Sequence, residues 1–131
     1  MSDPKLALII EDEEPLRRLL ARLLERAGYD TLTASDGNEG LEAFRARADE
    51  LGIVLLDVMM PSKDAAEILP ELLARRPDLP LILTSGDALP EDLRKVLETT
   101  NRGRFLRKPF MPQALLRMLE ELDDSNASGP H

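Results

Sequence analysis

The chain of 131 residues has no cysteine and no tryptophan, and its one histidine is the last residue. Without cysteine there can be no disulfide framework and no thiolate metal site. With a single terminal histidine, a histidine-based triad or a histidine-ligated metal centre is not expected. Aromatic residues make up only 3%, so stacking platforms for single-stranded nucleic acid are missing. The core must be filled by leucine, valine, isoleucine, alanine and methionine. No apolar run approaches the length of a membrane span, and the N-terminus lacks a signal-peptide pattern. The expected location is therefore cytoplasmic. A net charge of −8 argues against non-specific nucleic-acid binding.

What the chain does have is enough apolar material, 43%, for one domain with a real core. Its centre is the stretch Ile53-Val54-Leu55-Leu56-Asp57-Val58-Met59-Met60-Pro61. Four apolar residues run without alternation and stop at a carboxylate. Such a run reads as a strand buried on both faces. Ligands and chemistry collect at the carboxyl ends of strands in open parallel sheets, which makes Asp57 the residue to watch.

On either side of this stretch, strands and helices alternate. Further strands are expected at Lys5–Ile10, Tyr29–Ala34, Leu81–Thr84 and Arg104–Arg107. The acidic run Glu11–Glu14 followed by Pro15 is a helix start. That helix is expected to bury Leu16, Leu19, Leu20, Leu23, Leu24 and Ala27 before Gly28 stops it. A second helix buries Leu41, Phe44 and Ala48. A third buries Ala65, Ile68, Leu69, Leu72 and Leu73, with Pro70 expected to kink or divide it. A fourth, from about Pro90, buries Leu93, Val96 and Leu97, and a last one Leu115, Met118, Leu119 and Leu122. The polar stretch from Asp123 to His131 is expected to be a disordered tail, leaving a domain over residues 1–122. Strict alternation of this kind requires parallel strands joined by right-handed crossovers, an α/β fold.

Four strands end in chemically useful groups: Glu11 and Asp12, Asp57, Ser85, and Lys108. Each alone has an ordinary structural explanation; Asp12, for instance, could cap a helix. Together they say more. Carboxylates crowded at one crevice repel one another and resist desolvation, so a divalent cation is their natural partner. Oxygen ligands alone favour Mg²⁺, which keeps waters and commonly shares its site with phosphate oxygens. A phosphoryl group would then be the third participant. Lys108 could neutralise one of its oxygens and Ser85 could hydrogen-bond another. A carboxylate can itself be the nucleophile, and Asp57, held at the end of the central strand, is the best placed.

These residues resemble the receiver domain of two-component response regulators. The resemblance runs from about Lys5 to Leu122. It is carried by Glu11-Asp12-Glu13-Glu14-Pro15, Leu56-Asp57-Val58-Met59-Met60-Pro61, Thr84-Ser85-Gly86, and Phe105-Leu106-Arg107-Lys108-Pro109-Phe110. It implies a flavodoxin-like five-stranded parallel sheet in the order 2-1-3-4-5, with helices on both faces. By the same resemblance Asp57 is the phosphoacceptor, Asp12 the main Mg²⁺ ligand, and Glu11 the holder of a coordinated water. Asp57 and the Met59 carbonyl are implied as further metal ligands. Ser85 is the hydroxyl that follows the phosphoryl group, with the Gly86 amide near it. Lys108 is the phosphate-pairing lysine, followed by a cis bond to Pro109, and Phe105 is the switch aromatic. The sequence departs from the family at Glu11, where aspartate is more usual, and at Ala65 and Asn101, where glycine is common.

The implied function is a signalling switch rather than an enzyme acting on other molecules. A sensor histidine kinase or a histidine phosphotransfer protein would donate the phosphoryl group, and a downstream protein would read the outcome. The reading face would be the fourth helix, fifth strand and fifth helix, on a monomer or a weak homodimer. Arg17, Arg18 and Arg22 on the first helix would lie near the donor, or simply form a solvated face. A free-standing regulator is expected, since Met1 lies just before the first strand and no output domain follows Leu122. The alternatives are a receiver from a hybrid histidine kinase or multidomain regulator, and a pseudo-receiver that never takes phosphate. A Mg²⁺ phosphatase would want a second acid where Met59 stands, and a flavin binder would want more aromatics.

Overall fold

The computed structural model describes the backbone of residues 5–127 and the side chains of residues 5–123. Its elements, in chain order, are β1 (Lys5–Ile10), α1 (Glu14–Arg26), β2 (Tyr29–Ala34), α2 (Gly37–Arg47), a 3₁₀ turn (Ala48–Glu50), β3 (Leu51–Asp57), α3 (Ala65–Arg75), β4 (Leu81–Ser85), α4 (Glu91–Glu98), β5 (Gly103–Arg107) and α5 (Pro112–Ala127). The five strands are all parallel and lie in the order β2-β1-β3-β4-β5, as the resemblance implies.

The unalternating apolar run of β3 has a direct explanation. Val54 and Leu56 face one core with Phe44, Ile68, Leu69 and Leu72, from α2 and α3. Ile53 and Leu55 face a second core with Leu20, Leu24, Leu115 and Leu119, from α1 and α5. Both faces of the strand are covered, so both must be apolar. Full burial of each such side chain contributes roughly 1.5–3 kcal/mol, which holds the central strand and its terminal Asp57 firmly in the sheet.

The helices begin and end for identifiable reasons. Pro15 stands in the first turn of α1, where its missing N–H costs nothing. At the far end Gly28 takes φ 99°, a left-handed turn into β2. Leu20, Leu23 and Leu24 are buried as expected, but Leu19 is 40% exposed and Ala27 is exposed. Leu19 faces an open groove, and Ala27 has left the helix as its cap. Pro70 does not divide α3, which is continuous. Its ring lies on the exposed face, and the carbonyl that loses a partner belongs to the exposed residue Ala66, where water can serve it. A reciprocal capping box between Asp64 and Glu67 also anchors the helix start.

α5 runs past the expected domain end at Leu122 and continues through Ala127. Leu122 is buried, and Asp123 pairs with Lys5 at the start of β1, so the helix is tied down beyond its last apolar contact. The rest of the expected tail, residues 128–131, lies outside the described residues. Among the described residues no helix is long and apolar enough to cross a membrane.

Candidate functional site

The site forms where four strands stop. Backbone pairing runs one step beyond the strands, which aims the side chains. The Glu11 N–H donates to the Ala34 carbonyl (3.0 Å), Val58 to Thr84 (2.8 Å) and Lys108 to Ser85 (2.8 Å). Asp57 closes β3 and Ser85 closes β4, while Glu11 and Lys108 directly follow β1 and β5. Glu11, Asp57 and Ser85 are buried, at 1%, 6% and 4% exposure.

Lys108 sits at the centre. Its Nζ donates to Asp57 Oδ2 at 3.0 Å. It lies 3.0 Å from Glu11 Oε1 and 3.8 Å from Glu13 Oε1. The other Asp57 oxygen, Oδ1, accepts the Met59 N–H at 3.1 Å. Glu11 Oε2 accepts the Glu13 N–H at 3.1 Å. Glu11 Oε1 is buried and faces the ammonium off the line of a hydrogen bond, so it has a counter-charge but no aligned donor.

This arrangement sets the protonation of both partners. Burial pushes the Glu11 carboxyl up to about 7, and the nearby Asp57 charge adds to the rise; Lys108 and the Glu13 amide only partly oppose it. Burial also works against the Lys108 ammonium, but the Glu11 and Asp57 carboxylates outweigh it and hold Lys108 above its ordinary value. Lys108 therefore stays charged, while Glu11 is poised to carry a proton at neutral pH when nothing else neutralises it.

The residues suit a hard dication. Glu11, Asp12 and Asp57 each offer a carboxylate oxygen, all within 4.8 Å of one another. One ammonium cannot balance three carboxylates, and the buried Glu11 Oε1 is left without a directed donor. Oxygen is the only donor type present, which selects Mg²⁺-like ions over softer metals. Asp12 is exposed and reachable from solvent. The Met59 carbonyl accepts no hydrogen bond among the described residues. Its side chain points outward, at 70% exposure.

Ser85 lies beside this cluster, and Phe105 lies further back along the sheet. Asp57 pairs with Thr84 across β3 and β4, which puts Ser85 one residue further toward the mouth. The Ser85 Oγ accepts the Asp87 N–H at 3.1 Å, leaving its own proton to donate. Phe105 stands opposite Leu83 in the β4–β5 pairing, half-buried against the α2–α3 core. The Lys108–Pro109 bond is cis.

Three features were not foreseen. Glu13, read only as part of a helix start, reaches toward Lys108. Arg17, read as an outward-facing residue, turns back onto the β1–α1 turn and donates to main-chain carbonyls there; Arg18 instead pairs with Glu14 at 3.0 Å. The β3–α3 loop is latched to the start of α2: the Gly37 N–H donates to the Pro61 carbonyl (3.3 Å) and the Asn38 N–H to Ser62 Oγ (3.1 Å). A run of acids could have suggested Glu13. No local pattern announces the other two, because each depends on where a distant main chain lies. Beside the site an open groove of about 540 Å³ is lined by Glu13, Leu16, Leu19, Lys108, Pro109 and Phe110.

Comparison with known proteins agrees with this geometry. A sequence model of the response regulator receiver domain matches residues 7–120. The alkaline phosphatase synthesis transcriptional regulatory protein PhoP of Bacillus subtilis is 38% identical over 111 residues, covering 83% of this chain and 44% of that protein. The sensor kinase CckA of Brucella abortus is 34% identical over 122 residues, covering 93% of this chain and 13% of that protein. This chain spans about half or less of the length of the curated relatives it matches. Among solved structures, a response regulator receiver domain protein from Clostridium thermocellum superposes with a TM-score of 0.79 at 28% identity, covering 94% of this chain and 97% of its own.

Proposed function

Because this chain belongs to the response regulator receiver family, we propose that it is a switch that takes a phosphoryl group on Asp57. The observation that supports this most is the Lys108 ammonium standing 3.0 Å from both the Asp57 and Glu11 carboxylates at a crevice open to solvent. An Asp57 oxygen attacks the phosphorus of a phosphohistidine. The new O–P bond forms as the P–N bond breaks, and the electron pair leaves with the donor imidazole. Lys108, already on Asp57 Oδ2, is within reach of the phosphoryl oxygens and neutralises their charge. Ser85 donates its free hydroxyl proton to another oxygen. Mg²⁺, held by Glu11, Asp12, Asp57 and the Met59 carbonyl, would supply charge neutralisation and in-line orientation.

The switch follows from the added charge. Drawing Ser85 inward shifts the β4–α4 turn, and Phe105, half-buried opposite Leu83 on the neighbouring strand, moves into the space released. The face of α4, β5 and α5 then changes population. A sensor histidine kinase or histidine phosphotransfer protein supplies the phosphoryl group, and a protein target reads the face of a cytoplasmic monomer or weak homodimer. The similarity to a sensor kinase over 93% of this chain supports a second reading, in which the same switch serves as a segment of a larger kinase.

Incubation with acetyl phosphate and Mg²⁺ tests the core of this. One phosphoryl adduct on Asp57 is expected by mass spectrometry, absent with EDTA and absent in Asp57→Asn. An unmodified wild-type chain, also unchanged by beryllofluoride, would replace the switch with an interaction module that never takes phosphate.

A further inference from the structure

We propose that Arg17 is a positioning residue that clamps the turn carrying Glu11 and Asp12 and so sets how well their carboxylates hold a divalent cation. The inference rests on the metal reading above. Arg17 Nη1 donates to the Glu11 carbonyl at 2.9 Å and, more weakly, to the Asp12 carbonyl at 3.4 Å. Its guanidinium thus bridges two consecutive peptide units, the ones from which the two acidic side chains project. No carboxylate lies within ion-pair distance of Arg17 among the described residues, so the side chain is committed to these carbonyls.

The turn needs such a tie. Glu11 is fixed at its amide by Ala34, but Asp12 is exposed and its side chain has no hydrogen bond among the described residues. Its backbone position is all that restrains it. Arg17 is four residues beyond the α1 N-cap Glu13, whose carbonyl accepts the Arg17 N–H at 2.8 Å. The helix therefore anchors the base of the arginine, and one guanidinium nitrogen, Nη1, reaches back over the turn.

A clamp and a mere positive charge predict opposite effects. A cation beside an acidic cluster opposes binding of a second cation, so deleting the charge alone would tighten Mg²⁺ binding. Deleting a clamp loosens Asp12 and weakens it; groups that orient metal ligands are typically worth about 10–100-fold in affinity. Lysine separates the two further, because it keeps the charge but its ammonium stands on a stem one bond shorter than the path to Nη1 and falls short of both carbonyls.

The test is a Mg²⁺ titration at fixed ionic strength, by calorimetry and by backbone amide NMR, on wild type, Arg17→Ala and Arg17→Lys. Alanine is a good helix former, and thermal melts check that each variant is folded. About tenfold weaker binding in both variants is the expected result. Amide exchange at Glu13 should also be faster in both variants without metal. Tighter binding in Arg17→Ala with no change in Arg17→Lys, or no change in either, overturns the clamp. A wild type that binds no Mg²⁺ overturns the metal reading instead, and unchanged Glu13 exchange would then remove the clamp as well.

Discussion

Lys108 Nζ and Asp57 Oδ2 lie 3.0 Å apart although 51 positions separate them in the chain. The same nitrogen lies 3.0 Å from the buried Glu11. Replacing Lys108 with alanine leaves two buried carboxylates facing each other. Breaking a buried pair from one side costs about 3–5 kcal/mol, but Glu11 can relieve part of this by binding a proton. The expected loss for Lys108→Ala in EDTA is therefore about 1–3 kcal/mol near pH 8 and clearly less near pH 5.5. Urea unfolding at the two pH values checks it. Equal losses at both would mean that the lysine stem, not its charge, carries the effect.

Glu11 gives the metal-free protein a defined pH dependence. Its carboxyl is raised from 4.5 to about 7 on folding. Between these values the folded chain binds more protons at this site than the unfolded chain does. The stability it contributes is present below the lower value and is lost as pH rises through about 7. Unfolding free energy in EDTA should fall over that window, and Glu11→Gln should flatten the fall. A Glu11→Gln profile superimposable on wild type would place the titration elsewhere.

Gly37 marks a contact that tolerates no side chain. A Cβ there would lie 1.9 Å from the Lys63 carbonyl oxygen, which is backbone and cannot simply rotate away. Gly37→Ala should destabilise the protein by about 1–3 kcal/mol, in the range of overpacking. It should also push the β3–α3 loop, and with it Met59, off position. A wild-type melting temperature together with unchanged amide shifts at residues 58–64 would disprove the close approach.

Ser62 holds the other half of that latch in a left-handed conformation, φ 67°. Its Oγ accepts the Asn38 N–H at 3.1 Å, which offsets the strain. Ser62→Ala keeps the strained backbone and loses the bond, so a loss of about 1 kcal/mol is expected. Ser62→Gly loses the bond but relieves the backbone, so it should lie close to wild type. Thermal melts of the two variants give the ranking, and alanine as the more stable of the pair would contradict it.

Much of this is legible along the chain. The unalternating run ending at Asp57 announces a strand covered on both faces, and the structure shows why, with one helix pair on each side. The apolar spacing of α1, α2, α3 and α5 foretells most of the buried residues. The failures are equally physical. Leu19 has the spacing of a core residue but faces a groove. Pro70 has the chemistry of a helix breaker but lies where water can serve the carbonyl it orphans. Polarity beyond Leu122 does not show that α5 runs on to Ala127, with Asp123 paired to Lys5.

The order of residue types along the chain by itself decided that strands and helices alternate, that the sheet is parallel, and that a carboxylate stands at the end of its central strand. Those are consequences of periodicity and burial, which act locally. Which charges meet was decided only in three dimensions. Lys108 finds Asp57 and Glu11, Arg17 folds back onto two carbonyls, and Ser62 reaches the start of α2, because parallel crossovers bring distant strand ends to one edge. Electrostatic and hydrogen-bond energies depend on distances of a few ångströms, and linear spacing does not contain those distances.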